Sequence, residues 1–292
     1  MNKENNKSNN KKCKKVYWIL FWILVVLILS ALGILYVQPY AFFYPVHDEK
    51  SYEELKKLPR FEEITIENGD ETLSGWLRYT NDRAETSPLI IMFGGNMQNS
   101  SNTCMWFTRE NIFDRFSEYN FLIVDYPEYG LSTGKVSEKS MFEAGLKIYD
   151  YAESLNSVDS NNIVILGFSI GTGVANYVAS ERNPNGLILV SPYDRALSLY
   201  NNAVNIFHGP IKLLMRYKFD SISYAQKINV SPLIVTSVDD EVISYKFTEN
   251  LAIYFKNVEE YLCIEKANHN DYFSREEVLN SIEKYLESRI EK

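Results

Sequence analysis

Histidine is scarce in this chain: 292 residues hold three, His47, His208 and His269. Any chemistry that needs an imidazole must draw on one of those three places. Cysteine is as scarce, with Cys13, Cys104 and Cys263. Three scattered thiols exclude a disulfide-stapled scaffold. A Cys104–Cys263 bond would suit an exported domain, but two cysteines so far apart in sequence are read here as unpaired. There is no internal repeat, so a repeat architecture is excluded. Low complexity is confined to the lysine- and asparagine-rich N-terminus.

Charge is absent from Val16 to Val37, a run of 22 residues that is almost wholly apolar. A helix rising about 1.5 Å per residue would cross a hydrocarbon core of roughly 30 Å over that length. Tyr17, Trp18 and Tyr36 suit the two interfaces. The run is longer than the apolar stretch of a secretory signal, and Tyr36-Val-Gln-Pro-Tyr40 lacks a small-x-small cleavage pattern. Ser30-Ala-Leu-Gly33 is the one weak alternative, and an uncleaved anchor is the expectation.

The formal net charge of −8 hides an asymmetry. Residues 1–15 carry six lysines against Glu4, a local +5, which leaves −13 on the remainder. An acidic body argues against nucleic acid as a partner. The basic flank should stay in the cytoplasm, because residues 38–60 balance four acidic against four basic side chains. The expected layout is a basic cytoplasmic flank (1–15), a transmembrane helix (16–37), a stalk (38–60) and an extracytoplasmic domain (61–292).

Within that domain a hairpin is expected at 62–79 around Asn68-Gly69-Asp70. Apolar strands follow at 89–93, 121–124, 162–166, 186–190, 232–236 and 261–264. Helices are expected to end at 116 and to span 141–155, 172–182, 245–255 and 274–290. Continuous apolar strands alternating with helices mean a mostly parallel eight-stranded sheet covered on both faces, an α/β fold. Residues 194–230 contain no strand and read as a helical insertion rich in Tyr, Phe and Leu.

Gly167-Phe168-Ser169-Ile170-Gly171 lies between the strand at 162–166 and the helix from 172. An ordinary turn also uses glycine and serine. A G-x-S-x-G on a sharp strand-to-helix turn, however, exposes the serine hydroxyl as a nucleophile. That hydroxyl needs a base, usually histidine. Active sites of open α/β sheets gather at the carboxyl ends of strands. That selects His269, which follows the last strand, over His47 in the stalk and His208 in the insertion. The run Asp239-Asp240-Glu241 follows the preceding strand and offers a carboxylate to orient the imidazole. Oxyanion donors would be the Ile170 N–H and an N–H of the Gly94-Gly95-Asn96-Met97 loop.

The order Ser, Asp, His resembles that of the α/β-hydrolases. Residues 60–290 are similar to that superfamily, and in particular to the membrane-anchored ABHD-type serine hydrolases. Phe93-Gly94-Gly95-Asn96 stands where that family has a His-Gly-Asn loop. Residues 125–134, Asp-Tyr-Pro-Glu-Tyr-Gly-Leu-Ser-Thr-Gly, resemble its D-Y-x-G-Y-G-x-S-x-G segment, and Phe219-Asp220-Ser221 the end of its cap. The resemblance implies a catalytic set of Ser169, Asp240 and His269. Asp240 is preferred because Glu241-Val242-Ile243 follows it, and Asn96 is chosen with Ile170 as oxyanion donor. Gly94 replaces the usual histidine and Ser237 the usual glycine, so Met97 stays the alternative donor. The expected protein is a serine esterase or acyl hydrolase on a small-molecule or lipid-like substrate, without metal or cofactor. A serine peptidase and a non-catalytic surface scaffold are the alternatives; the oligomeric state is not legible.

Overall fold

The computed structural model describes residues 2–80 and 86–290, with side chains from Lys14 onward. The side chains of the basic flank before Lys14, Cys13 among them, lie outside the described residues. The chain forms two compact units: Met1–Phe42 with Ile206–Arg216, and Phe43–Asn205 with Tyr217–Lys292.

The first unit contains α1 (Asn2–Phe42), with Pro39 in its last turn. Its side chains from Val16 to Leu29 are largely exposed, Leu27 by 62 % and Leu29 by 62 %. A buried core helix would show the reverse. Among the described residues this is the one helix long and apolar enough to cross a membrane. The rest of the unit, Ile206–Arg216, contains a short 3-10 turn, Gly209–Leu214.

The second unit begins with α2 (Glu49–Leu55). The hairpin β1 (Phe61–Asn68) and β2 (Glu71–Arg78) follows, and β3 (Ser87–Phe93) leads into α3 (Ser100–Arg109) and α4 (Ile112–Arg115). Then come β4 (Asn120–Val124), α5 (Glu138–Ser154), β5 (Val158–Phe168), α6 (Gly171–Glu181) and β6 (Gly186–Val190). The insertion supplies α7 (Ala196–Val204) and α8 (Ser221–Ala225). The chain closes with β7 (Leu233–Ser237), α9 (Tyr245–Ala252), β8 (Glu260–Ile264) and α10 (Glu276–Glu287).

The eight strands form one sheet in the order β1-β2-β4-β3-β5-β6-β7-β8. β2 pairs antiparallel with both β1 and β4, and every other pair is parallel. Inner strands β4, β6 and β7 are buried at every position. That is why they read as continuous apolar runs rather than alternating ones. The sheet begins as expected, because Gly69 takes φ +68° in the two-residue loop of the hairpin.

Two local differences have physical causes. α5 starts three residues before Met141, because Ser137 and Ser140 cap its end reciprocally. Polar caps leave no trace in an apolar periodicity. Of residues 38–60, expected as a stalk, those from Phe43 onward belong to the second unit: Phe43 is buried, and Leu55 joins a core with Trp76, Phe107 and Phe113. Cys104 is buried and Cys263 exposed, both as free thiols.

Candidate active site

Ser169 sits between β5 and α6 with φ +54°. A left-handed non-glycine residue costs on the order of 1–3 kcal/mol, so its surroundings must impose it. Its N–H donates to Val190 O (3.0 Å), and its carbonyl accepts from the Thr172 N–H (2.9 Å) and Oγ1 (2.7 Å). The flanking glycines are demanded by packing. A Cβ on Gly167 would lie 2.7 Å from the Ala175 Cβ, and one on Gly171 would collide with the carbonyl oxygen of Phe93. The turn is therefore pressed against both its own helix and the loop after β3.

His269 and Asp240 come from the loops after β8 and β7, at the same sheet edge. His269 Nε2 lies 2.9 Å from Ser169 Oγ, and His269 Nδ1 lies 2.9 Å from Asp240 Oδ2. All three residues are buried, at 7–8 % exposure. An Nδ1–H donated to the carboxylate leaves Nε2 free to accept from the serine hydroxyl. The imidazole stacks on Phe168 at 5.2 Å. The expected residues thus stand in one continuous hydrogen-bonded line.

The neighbouring acidic residues brace the histidine loop instead of touching the ring. Asp239 Oδ2 accepts from the Lys266 N–H (2.7 Å), and Glu241 Oε2 from the His269 N–H (3.0 Å). Ser237 donates its hydroxyl to Ala267 O (2.7 Å). His47 Nδ1 instead meets Gly130 O at 2.5 Å, and His208 belongs to the other unit.

Two groups that the sequence did not reveal converge on Asp240. Ser191 Oγ donates to Oδ2 (2.6 Å), as does the Tyr272 hydroxyl (2.8 Å). The Val242 and Ile243 N–H groups donate to Oδ1 (2.9 and 2.8 Å). Burial alone would push the Asp240 carboxyl up. The hydrogen bond and charge of His269, with Ser191 and Ile243 helping, more than offset that and hold it at about 2. The one sequence signal for Ser191 is its place directly after β6, at the active edge; Tyr272 has none beyond lying three residues after His269. Removing the phenol in Tyr272→Phe deletes a donor to the ionised form, so the Asp240 pKa moves upward. The expected result is a loss in kcat/KM of less than about tenfold near neutrality, where the Asp240 carboxyl stays ionised. A pH–rate profile of the folded variant checks it.

The loop after β3 is held by the 125–134 segment. The Tyr126 hydroxyl donates to Gly94 O (3.1 Å), and the Tyr129 hydroxyl to Asn96 Oδ1 (2.7 Å). The Tyr44 N–H donates to the same oxygen (2.9 Å). Two tyrosines therefore support a loop in which Gly94 offers no side chain of its own. Met97 is 64 % exposed with φ +60°. Ile170 is the N-cap of α6, so its N–H lies outside the helical ladder. Gly171 makes its close approach to the carbonyl oxygens of Phe93 and Gly94, just before Asn96 in the chain. Among the described residues no group of three or more His, Cys, Asp or Glu side chains could hold a metal ion.

Solved structures share this architecture. The esterase Pf2001 of Pyrococcus furiosus superposes with a TM-score of 0.66 at 19% identity, covering 84% of this chain and 98% of its own. Est1E of Butyrivibrio proteoclasticus, solved with ferulic acid, gives 0.63 at 18%, covering 78% of this chain and all of its own (100%). A Penicillium protein described as an alpha/beta hydrolase gives 0.59 at 15%, covering 80% and 99%. The fold is that of the α/β-hydrolases.

Sequence relatives of this hydrolase-fold chain agree. Alpha/beta hydrolase domain-containing protein 17C of Xenopus tropicalis is 30% identical over 169 residues, 57% of this chain and 52% of that protein. An uncharacterized protein of Mycobacterium tuberculosis is 22% identical over 215 residues, 73% of this chain and 74% of that one. The chain thus spans about half the length of the named hydrolase relatives it matches. No protein-family model matches it.

Proposed function

We propose that this chain is a membrane-anchored serine hydrolase that cleaves an ester or related acyl bond through an acyl-enzyme. What carries the reading is the line Ser169 Oγ, His269 and Asp240, each link 2.9 Å, on a strained turn. Ser169 Oγ attacks the carbonyl carbon while His269 Nε2 takes its proton. Asp240 keeps the Nδ1–H in place and stabilises the imidazolium. The N–H groups of Ile170 and Asn96 receive the oxyanion. As the intermediate collapses, His269 returns the proton to the leaving group; water then repeats the sequence and releases the acid. Esterases among the neighbours in fold make an ester the first substrate class to try.

The anchor is α1, and the lysines before it put the N-terminus in the cytoplasm and the catalytic domain outside. A reporter fused after Lys292 that is active only in the cytoplasm would reverse that topology. For the chemistry, the purified protein is exposed to a fluorophosphonate probe and to p-nitrophenyl esters of graded chain length, beside aminoacyl amides. Labelling at Ser169 with ester turnover is expected. A folded protein that never labels refutes the hydrolase reading, and turnover of the amides alone would make it a peptidase.

A further inference from the structure

Gln38 is the first strongly polar side chain after the apolar run 16–37, yet it is only 3 % exposed. Its Nε2 donates to Leu214 O (2.7 Å) and Ile34 O (3.3 Å), and its Oε1 accepts from the Arg216 N–H (2.7 Å). Both ends of the amide are thus used to tie the segment Ile206–Arg216 to the last turns of α1, within one compact unit. That fixes the height of the segment along the helix, level with the point where the apolar run ends.

What the segment displays at that height is a mixture that water alone does not explain. Leu213 is 86 % exposed, Ile206 44 % and Ile211 42 %. Lys212 and Arg216 are exposed beside them, and Tyr36 and Tyr40 stand exposed on the helix at the same level. One exposed leucine is ordinary. Aliphatic tips, long basic stems and tyrosines together at the mouth of a membrane-length helix match the chemistry of a bilayer interface, where aromatic rings and snorkelling cations sit between headgroups and chains.

We propose that the turn Gly209–Leu214 is a lipid-contacting element that inserts Leu213 and Ile211 into the bilayer interface beside α1. The occupant of this apolar face is the lipid itself, since the face continues the surface of a helix that already requires it. The second unit is then joined to a membrane-resident segment at Asn205 and Tyr217 as well as at Phe43. This inference rests on the anchor reading of α1.

The test separates the two. In full-length protein carrying Cys13→Ser and Cys263→Ser, with Cys104 buried, single cysteines are introduced by Leu213→Cys, Leu27→Cys and Ile253→Cys. Each is labelled with an environment-sensitive nitrobenzoxadiazole dye in phosphatidylcholine–phosphatidylglycerol vesicles. The inference expects blue-shifted emission at 213 and 27, both quenched by spin-labelled lipid, and water-like, unquenched emission at 253. A membrane-like signal at 27 with a water-like one at 213 overturns the inference and keeps the anchor. A blue shift at 213 that lipid does not quench means that a second copy or another protein covers the face, which also overturns it. A water-like signal at 27 overturns both readings.

Discussion

Alanine at Ser169 is expected to lower kcat on the order of 10⁶-fold while leaving the protein folded. In the proposed mechanism this hydroxyl forms the acyl bond, and its partner is His269 Nε2 at 2.9 Å. The turn does not depend on it, because Val190 O and the Thr172 groups hold the backbone at 169 rather than the side chain. Deleting Oγ therefore removes the nucleophile without releasing the strain at φ +54°. Residual turnover of about 10³–10⁴ over water would remain, from substrate binding and oxyanion donors alone. Steady-state kinetics on the best ester, beside circular dichroism and fluorophosphonate labelling, decides it. A folded Ser169→Ala protein that keeps even a hundredth of wild-type kcat would require another nucleophile.

The second large effect is expected at Asp240 and not at its neighbour. Asp240→Asn keeps the size of the side chain but faces His269 with an amide, which favours the tautomer carrying its proton on Nε2. That tautomer cannot accept from the serine, and the expected loss in kcat is about 10⁴-fold. Asp239→Asn retains an oxygen able to accept from the Lys266 N–H, so a change below about threefold is expected there. Comparable losses in both folded variants would refute the assignment. Stability supplies an independent readout. The Asp240 carboxyl has a folded pKa of about 2 against an ordinary 3.8. A depressed carboxyl contributes stability that is complete above about pH 4 and is lost as pH falls towards 2. Urea unfolding across that window should therefore fall more steeply for wild type than for Asp240→Asn.

Much of the fold was legible because its signals are short-ranged. Buried parallel strands announce themselves as unbroken apolar runs, and β6 lies at the expected residues, Gly186–Val190. The start of α5 was missed because Ser137 and Ser140 cap it with side chains that carry no periodicity. Residues 38–60 read as a stalk because a short helix and a proline look solvated in isolation. The burial of Leu55 exists only once Trp76 and Phe113 are brought to it.

The sequence by itself determined that Ser169 stands on a sharp turn, that an apolar segment long enough for a bilayer precedes the body, and that a histidine follows the last strand. Each depends on neighbours within about twenty residues, where spacing alone specifies local geometry. Only the tertiary structure brought a carboxylate to the imidazole, because the partners are 29 residues apart and Asp239 and Asp240 both follow the same strand. It also decided that Ser191 and Tyr272 share Asp240 and that two tyrosines support the Asn96 loop. Those contacts are set by strand register and the packing of separate loops at one sheet edge. Hydrogen bonds spanning 29 to 100 residues leave no periodic mark along the chain.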